Sequence, residues 1–242
     1  MLKDKVVLVT GSAQGIGKHA AKTFAQEQSK VVIADFNEEQ AKKTAAELSA
    51  LTETFPVCVD VRDEVSVRGL VDQVVKRFGT IDVHINNAAI VPHFAWGIPR
   101  WPRIAEMPRD FWERVIQTNL GGTFLCTKYV LPVMEAKRSG HIINLYGGGG
   151  IKPAGACAYM VTKDAIRTFT RYVAEEVRES NVCVVIFSPR VPIVTESAPE
   201  EALKRLPGPE ILGQGFVLAA QVPVEQSGEI FSFQNGNLVN EA

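Results

Sequence analysis

Tyr159 and Lys163 stand four residues apart in the stretch Gly155-Ala-Cys-Ala-Tyr-Met-Val-Thr-Lys163. The residues that follow repeat apolar side chains at Ile166, Phe169, Val173 and Val177, with charges at Asp164, Arg167, Arg171 and Glu175, which is the pattern of an amphipathic helix,. Residues four apart on a helix are neighbours, so the phenol and the ammonium share a face. A cation beside a phenol favours the phenolate and draws a group that titrates near ~10 toward neutrality, making it a usable acid or base. Such a pair also arises by chance on helix surfaces, so its meaning depends on what the rest of the chain places around it.

What precedes it alternates strands and helices. Residues 5–10 form a short β-branched run, as a strand buried on both faces should, and Gly11-Ser-Ala-Gln-Gly15-Ile-Gly17 follows at once,. Ile16, Ala20, Ala21 and Phe24 then mark the buried stripe of a helix. In a strand, glycine turn and helix the backbone approaches a pyrophosphate closely, and the helix N-terminus offers it N–H groups and positive dipole. The next strand, 31–35, ends at Asp35, 18 residues after Gly17, where a carboxylate accepts the hydroxyls of an adenosine ribose,. Asp35 also repels a 2′-phosphate, and no Arg stands at position 36 or in the turn at position 14 to neutralise one, which favours NAD over NADP.

A helix over 39–48 leads to a third strand, 55–61, with Asp60-Val61 at the end where open parallel sheets bind ligands,. A helix over 65–78, a strand over 81–85 and Asn86-Asn-Ala-Ala89 come next. Residues 91–109 are irregular, with Pro92, Pro99, Pro102 and Pro108 forbidding a long helix and Phe94, Trp96 and Trp101 interleaved with arginines,. The aromatics suit either a substrate wall or an interface. Residues 111–137 read as one long helix kinked at Pro132, with Asn119 inside it beside Gly121-Gly122. A fifth strand (141–146), the Tyr159 helix, a sixth strand (182–187), short helices at 200–206 and 210–220 and a last strand (229–233) complete an α/β chain. With no repeat or linker, all of 1–242 reads as one domain, a doubly wound parallel sheet with helices on both faces,.

A hydrophobic fraction of 46% supports a sizeable core, and a formal net charge of -1 argues against nucleic acid or an anionic membrane as partner,. The four cysteines are dispersed without a Cys-x-x-Cys pair, which predicts reduced thiols and no metal site,. The first strand begins almost at the N-terminus, leaving no room for a signal peptide, and no apolar run is long enough to span a bilayer, so a cytoplasmic protein without membrane association is expected,.

Thr10-Gly-Ser-Ala-Gln-Gly-Ile-Gly17, Asp60-Val61, Asn86-Asn-Ala-Ala89, Asn119 and Tyr159-x-x-x-Lys163, in this order and spacing, resemble the short-chain dehydrogenase/reductase family over nearly the whole chain. The resemblance implies a seven-stranded Rossmann-type sheet, a nicotinamide cofactor and a homotetramer or homodimer. By position, it implies that Gly11, Gly15, Ile16 and Gly17 hold the pyrophosphate, Asp35 the adenosine ribose, Asp60 and Val61 the adenine, Asn87 the ribose side and Ile193 the nicotinamide carboxamide. Tyr159 is then the proton donor and acceptor, Lys163 lowers its pKa and binds the nicotinamide ribose, and Asn119 holds a relay water.

The chain departs from the family pattern in several places. The active-site Ser should stand about a dozen residues before Tyr159, yet there is no Ser or Thr from 146 to 158. Strand register puts its place at Gly147, whereas counting 13 residues back from Tyr159 puts it at Tyr146, whose phenol is a candidate replacement donor. Ala89 replaces the last glycine of the Asn-Asn-Ala-Gly pattern, Arg190 replaces the glycine after Pro189, and the segment before the last strand is short for a substrate lid. The expected activity is NAD-dependent interconversion of a secondary alcohol and a ketone on a moderately apolar or cyclic substrate, the last point resting on Phe94, Trp96 and Trp101. The alternative is a catalytically weak dinucleotide-binding protein, such as a sensor or assembly subunit.

Overall fold

The computed structural model describes residues 2–92, 101–147 and 155–241; Phe94, Trp96 and the glycines at 148–150 lie outside the described residues. Strand β1 (Val6–Thr10) is buried at every position. Its side chains alternate, Val7 and Val9 entering the core on one face and Val6 and Leu8 the core on the other. Each fully buried Val or Leu contributes about 1.5–3 kcal/mol, so a strand covered on both sides gains at every residue and tolerates no polar face.

The order continues α1 (Gly15–Gln26), β2 (Lys30–Asp35), α2 (Glu38–Leu48), β3 (Thr54–Cys58), α3 (Glu64–Phe78), β4 (Val83–Asn86), α4 (Arg109–Ile116), α5 (Gly122–Ala136), β5 (Gly140–Leu145), α6 (Cys157–Glu176), β6 (Val182–Phe187), α7 (Glu200–Arg205), α8 (Gly215–Ala219), β7 (Ile230–Gln234) and β8 (Asn237–Asn240). The sheet runs β3-β2-β1-β4-β5-β6-β7-β8. Neighbouring strands are parallel through β7. Ala20 and Phe24 of α1, Ala41 and Leu48 of α2 and Phe216 of α8 cover one face. Leu70 and Val74 of α3, Val130 and Met134 of α5 and Val173 of α6 cover the other.

The fold differs from the sequence reading at several points: the third strand stops at Cys58, so Asp60-Val61 lies in the turn after it, and the helix expected over 210–220 divides into a 3-10 turn at Pro209–Leu212 and α8. The sheet has eight strands, not seven, because β8 turns back antiparallel onto β7. Asn235 and Gly236 both take positive φ (50° and 83°), the geometry a two-residue hairpin demands and the reason Asn-Gly marks one,. The helix expected over 111–137 passes through Pro132 but is interrupted earlier, by a π-helical turn at Gln117–Gly121 between α4 and α5. Asn119 lies in that turn. Its amide serves a neighbouring segment rather than solvent, and a single π turn lets it project there without ending the helix.

Candidate active site

The strand order reverses between β1 and β4, and crevices at such switch points, beyond the C-terminal strand ends, are where open α/β sheets take ligands,. A cavity of about 830 Å³ lies there, reached by the β1–α1 turn, the ends of β2, β4 and β5, the start of α6 and the segment after β6.

Gly11 and Gly15 both adopt positive φ (63° and 60°), a backbone that side chains other than glycine take at a cost,. A Cβ at Gly17 would run into the Gly11 carbonyl oxygen and the Asn87 amide nitrogen, so glycine there lets α1 close on the turn. Asn87, expected on the ribose side of a cofactor, braces this turn: its amide donates to the carbonyls of Thr10 (3.0 Å) and Gly11 (2.8 Å). The Gly15 N–H points outward and donates to Oε2 of Glu196 at 2.9 Å.

Asp35 ends β2 at the cavity wall, accepting from the N–H groups of Ala13 (2.9 Å) and Asn37 (3.0 Å). Asp60 and Val61 line the same end. Asp60 is gripped by Arg62, whose Nη2 donates to it at 2.6 Å and whose guanidinium holds the carboxyl below its usual range. Arg62 also lies 6.0 Å over the Phe36 ring. Sequence reasoning looked for a cation only at positions 14 and 36 and so missed Arg62; its place directly after Asp60-Val61 was the available signal. Its guanidinium is spent on Asp60.

At the other end, Tyr159 and Lys163 share a face of α6 and both reach the cavity. Lys163 is 4% exposed and donates from Nζ to the Leu145 carbonyl at 2.8 Å. Its Nζ lies 5.6 Å from the centroid of the Tyr159 ring. Burial pushes the Lys163 ammonium down to about 8. Enclosure raises the Tyr159 phenol well above its ordinary range, with Tyr146 adding in the same direction. This is opposite in direction to the lowering expected from the neighbouring ammonium: desolvation of the phenol outweighs a cation that is itself tied to a carbonyl.

Asn119 is buried in the π turn. Its amide donates to the Ile90 carbonyl (3.1 Å) and to Oγ1 of Thr162 (3.2 Å), and its Oδ1 accepts from the Ile90 N–H at 2.8 Å. Thr162 in turn donates to the Tyr159 carbonyl at 2.6 Å. Asn119 therefore fastens the β4 end to the first turns of α6; its own carbonyl accepts from Thr123 at 2.7 Å. Beneath, His84 bridges the Leu8 carbonyl and Asn86, and Asn86 donates to Asn144, which donates to Thr170 of α6. Burial lowers His84 to about 4, so this ladder is uncharged at neutral pH.

The two places considered for the absent serine are now distinct. A Cβ at Gly147 would lie 2.6 Å from the Tyr159 hydroxyl, so Gly147 is the position that faces it, as strand register expected. Tyr146 lines the cavity, but its phenol donates to Asp164 at 3.2 Å on the exposed side of α6. A shift of one residue at a strand end reverses the direction of the side chain, which counting back from Tyr159 cannot reveal. Ile193 lines the cavity and is buried. Arg190 stands at the rim with φ 63° and its Nη1 donating to Glu241 at 2.9 Å. Trp101 packs edge-on against Phe111, with centroids 4.9 Å apart.

Replacing Lys163 by Met should raise the melting temperature. The folded value near 8 lies below that of an exposed lysine, so the unfolded chain holds the proton more tightly. The resulting destabilisation is full below pH 8 and lifts as the pH rises from about 8 toward 10.5,. It is worth roughly 3 kcal/mol, or several degrees for a chain of this size. Thermal denaturation at pH 7 and pH 10 checks this: the gain should shrink at the higher pH, and a variant less stable than the parent at both would show the ammonium to be a net stabiliser.

A family model described as short chain dehydrogenase matches residues 5–203. The chain is 31% identical to the 3-oxoacyl-[acyl-carrier-protein] reductase FabG of Thermotoga maritima, over 98% of this chain and 99% of that protein. It is 31% identical to an NAD+-bound xylitol dehydrogenase of known structure, covering 78% of this chain and 71% of that one, with a TM-score of 0.72. A metagenomic short-chain oxidoreductase in complex with NADP shares the fold at 24% identity, covering 93% and 94% of the two chains with a TM-score of 0.77.

Proposed function

The chain belongs to the short-chain dehydrogenase family, and on that premise we propose that it interconverts a ketone and a secondary alcohol with NAD(H). The observation that carries this reading is Tyr159, a phenol open to the switch-point cavity and packed with Lys163 on one face of α6. The cavity also suits a nicotinamide dinucleotide: the carboxylate of Glu196 already rests on an amide of the glycine turn, so that backbone receives an anionic oxygen,. Gly11, Gly15 and Ile16 would hold the pyrophosphate over a turn shaped by Gly17, Asp35 the ribose, Asp60 and Val61 the adenine, and Asn87 and Ile193 the nicotinamide side. The bound dinucleotide supplies the hydride that reduces a carbonyl carbon or takes it from a carbinol carbon.

The protein supplies the proton. Tyr159, like any phenol, is protonated at neutral pH and can give that proton to a ketone oxygen as negative charge develops there; its enclosure holds the proton more tightly until that charge appears,. In the reverse direction the phenolate recovers it from the alcohol. Lys163, held on Leu145, keeps a cation close to the phenolate that forms, and Asn119 and Thr162 fix the turn that carries Tyr159. Gly147 offers no second donor to the substrate oxygen, a loss that typically costs ~10²–10³ in rate. That absence also favours the rival reading, a dinucleotide-binding sensor or assembly subunit in which Tyr159 and Lys163 only bind. A panel of ketones supplied with NADH separates the two: NADH consumption with at least one ketone supports the enzyme, and tight NADH binding without consumption supports the rival.

NAD is the preferred cofactor on this reading because Asp35 faces the ribose and Arg62 is engaged by Asp60. Asp35→Ala should narrow the gap between NADH and NADPH by roughly 1.5–3 kcal/mol, the worth of hydrogen bonds to a charged group. Calorimetric titration with both cofactors checks it, and equal affinities in the unmutated protein would remove the argument.

The reading further takes residues 1–242 as one domain acting on a small molecule in the cytoplasm as a homodimer or homotetramer.

A further inference from the structure

We propose that Glu196 sets the protein's affinity for its dinucleotide by occupying the place of a pyrophosphate oxygen on the β1–α1 turn; the inference rests on the dinucleotide reading above. The Gly15 N–H donates to Oε2 of Glu196 at 2.9 Å, a contact between residues 181 apart in the chain. That N–H belongs to the first residue of a twelve-residue helix, where the peptide dipole and unpaired N–H groups favour an anion,. A carboxylate and a phosphate oxygen are alternative occupants of one such amide, and they repel each other if both approach.

The neighbouring residues make Glu196 a removable occupant. Thr195 stands over Gly15, its Cγ2 2.9 Å from where a Cβ on that glycine would be, so the segment after β6 closes directly on the turn. Thr195 and Ser197 both line the cavity. Val194, Ala198 and Ala202 form a small apolar cluster of their own, apart from the two cores that hold the sheet. Glu196 is exposed and can swing away without disturbing either core. Dinucleotide binding therefore has to displace a bond the protein makes to itself, and the measured affinity is the difference between two competing anions.

Removing the competitor should tighten binding. Glu196→Ala and Glu196→Gln are expected to lower the Kd for NADH about tenfold, the order expected for a charge-assisted hydrogen bond near a surface. Glu196→Asp, one methylene shorter, should fall between them and the parent. Adenosine has no phosphate to compete, so its affinity should not change. Saturating NADH should raise the melting temperature of Glu196→Ala by more than it raises that of the parent. Unchanged or weaker NADH binding in Glu196→Ala, or an equal gain for adenosine, would overturn the proposal. If neither protein bound NADH the dinucleotide reading itself would fail, and inorganic pyrophosphate would still decide the role of Glu196: tighter binding in Glu196→Ala upholds the competition, and equal binding ends it.

Discussion

Tyr159→Phe should cut the rate of ketone reduction by roughly 10²–10⁴ while changing the Kd for NADH by less than about threefold, the range expected when a positioned general acid is lost without disturbing a binding site. The phenol is a hydroxyl that the fold brings into the cavity beside Lys163, and on the proposed reading it is the donor. Phe keeps the ring, so its packing against α6 survives. Tyr146→Phe is the control: that phenol donates to Asp164, so its loss should cost less than about tenfold, well short of the ~10²–10³ typical of a donor to the reacting oxygen,. Activity retained in Tyr159→Phe would move the proton donor elsewhere.

Restoring a serine at Gly147 is expected to harm the enzyme. A Cβ there would lie 2.6 Å from the Tyr159 hydroxyl, well inside van der Waals contact, so the phenol has to move before any new hydroxyl is useful. The helix that carries it cannot move to make room. Thr162 donates to the Tyr159 carbonyl and Lys163 to the Leu145 carbonyl, pinning the first turns of α6 to the end of β5. Displacing a catalytic group by ~1 Å costs on the order of 10²-fold, and a serine hydroxyl set against a displaced phenol is not the well-placed donor that would add rate. Gly147→Ser and Gly147→Ala should therefore both lose about 10²-fold in kcat, with NADH affinity within about twofold of the parent. Higher turnover in Gly147→Ser alone would show that the phenol yields and that the site has merely lost a donor.

The parts of this site written in short-range pattern were legible before the fold. The β-branched run, glycine turn and amphipathic stripe of β1 and α1 are local, and each points to the same element; so does the spacing that puts Tyr159 and Lys163 on one face of α6. The place of the absent serine stays open between Gly147 and Tyr146 on sequence alone, because register and counting disagree by one residue. What escaped depends on contacts distant in sequence or on side-chain direction. Glu196 meets Gly15 across 181 residues, and nothing around either predicts it. The interruption at Asn119 is hidden in a sequence that reads as one helix kinked only at Pro132, because its partner, the backbone of Ile90, is 29 residues away and reaches it only through a π turn. Arg62 is far in sequence from both Asp35 and the glycine turn, and only the fold brings it to the same end of the cavity. The β7–β8 hairpin is a different case: Asn235-Gly236 announces it locally, and the strand that follows is only four residues long, with two apolar ones, too short for its pattern to show.

Hydride transfer itself is tested most directly with NADH deuterated at the transferable C4 position and the ketone that the panel shows to be consumed fastest. The account predicts one deuteron on the carbinol carbon of the alcohol for each NADH oxidised, with the hydroxyl proton exchanging with water. Alcohol carrying no deuterium at that carbon, or NADH oxidised without alcohol formed, would contradict it.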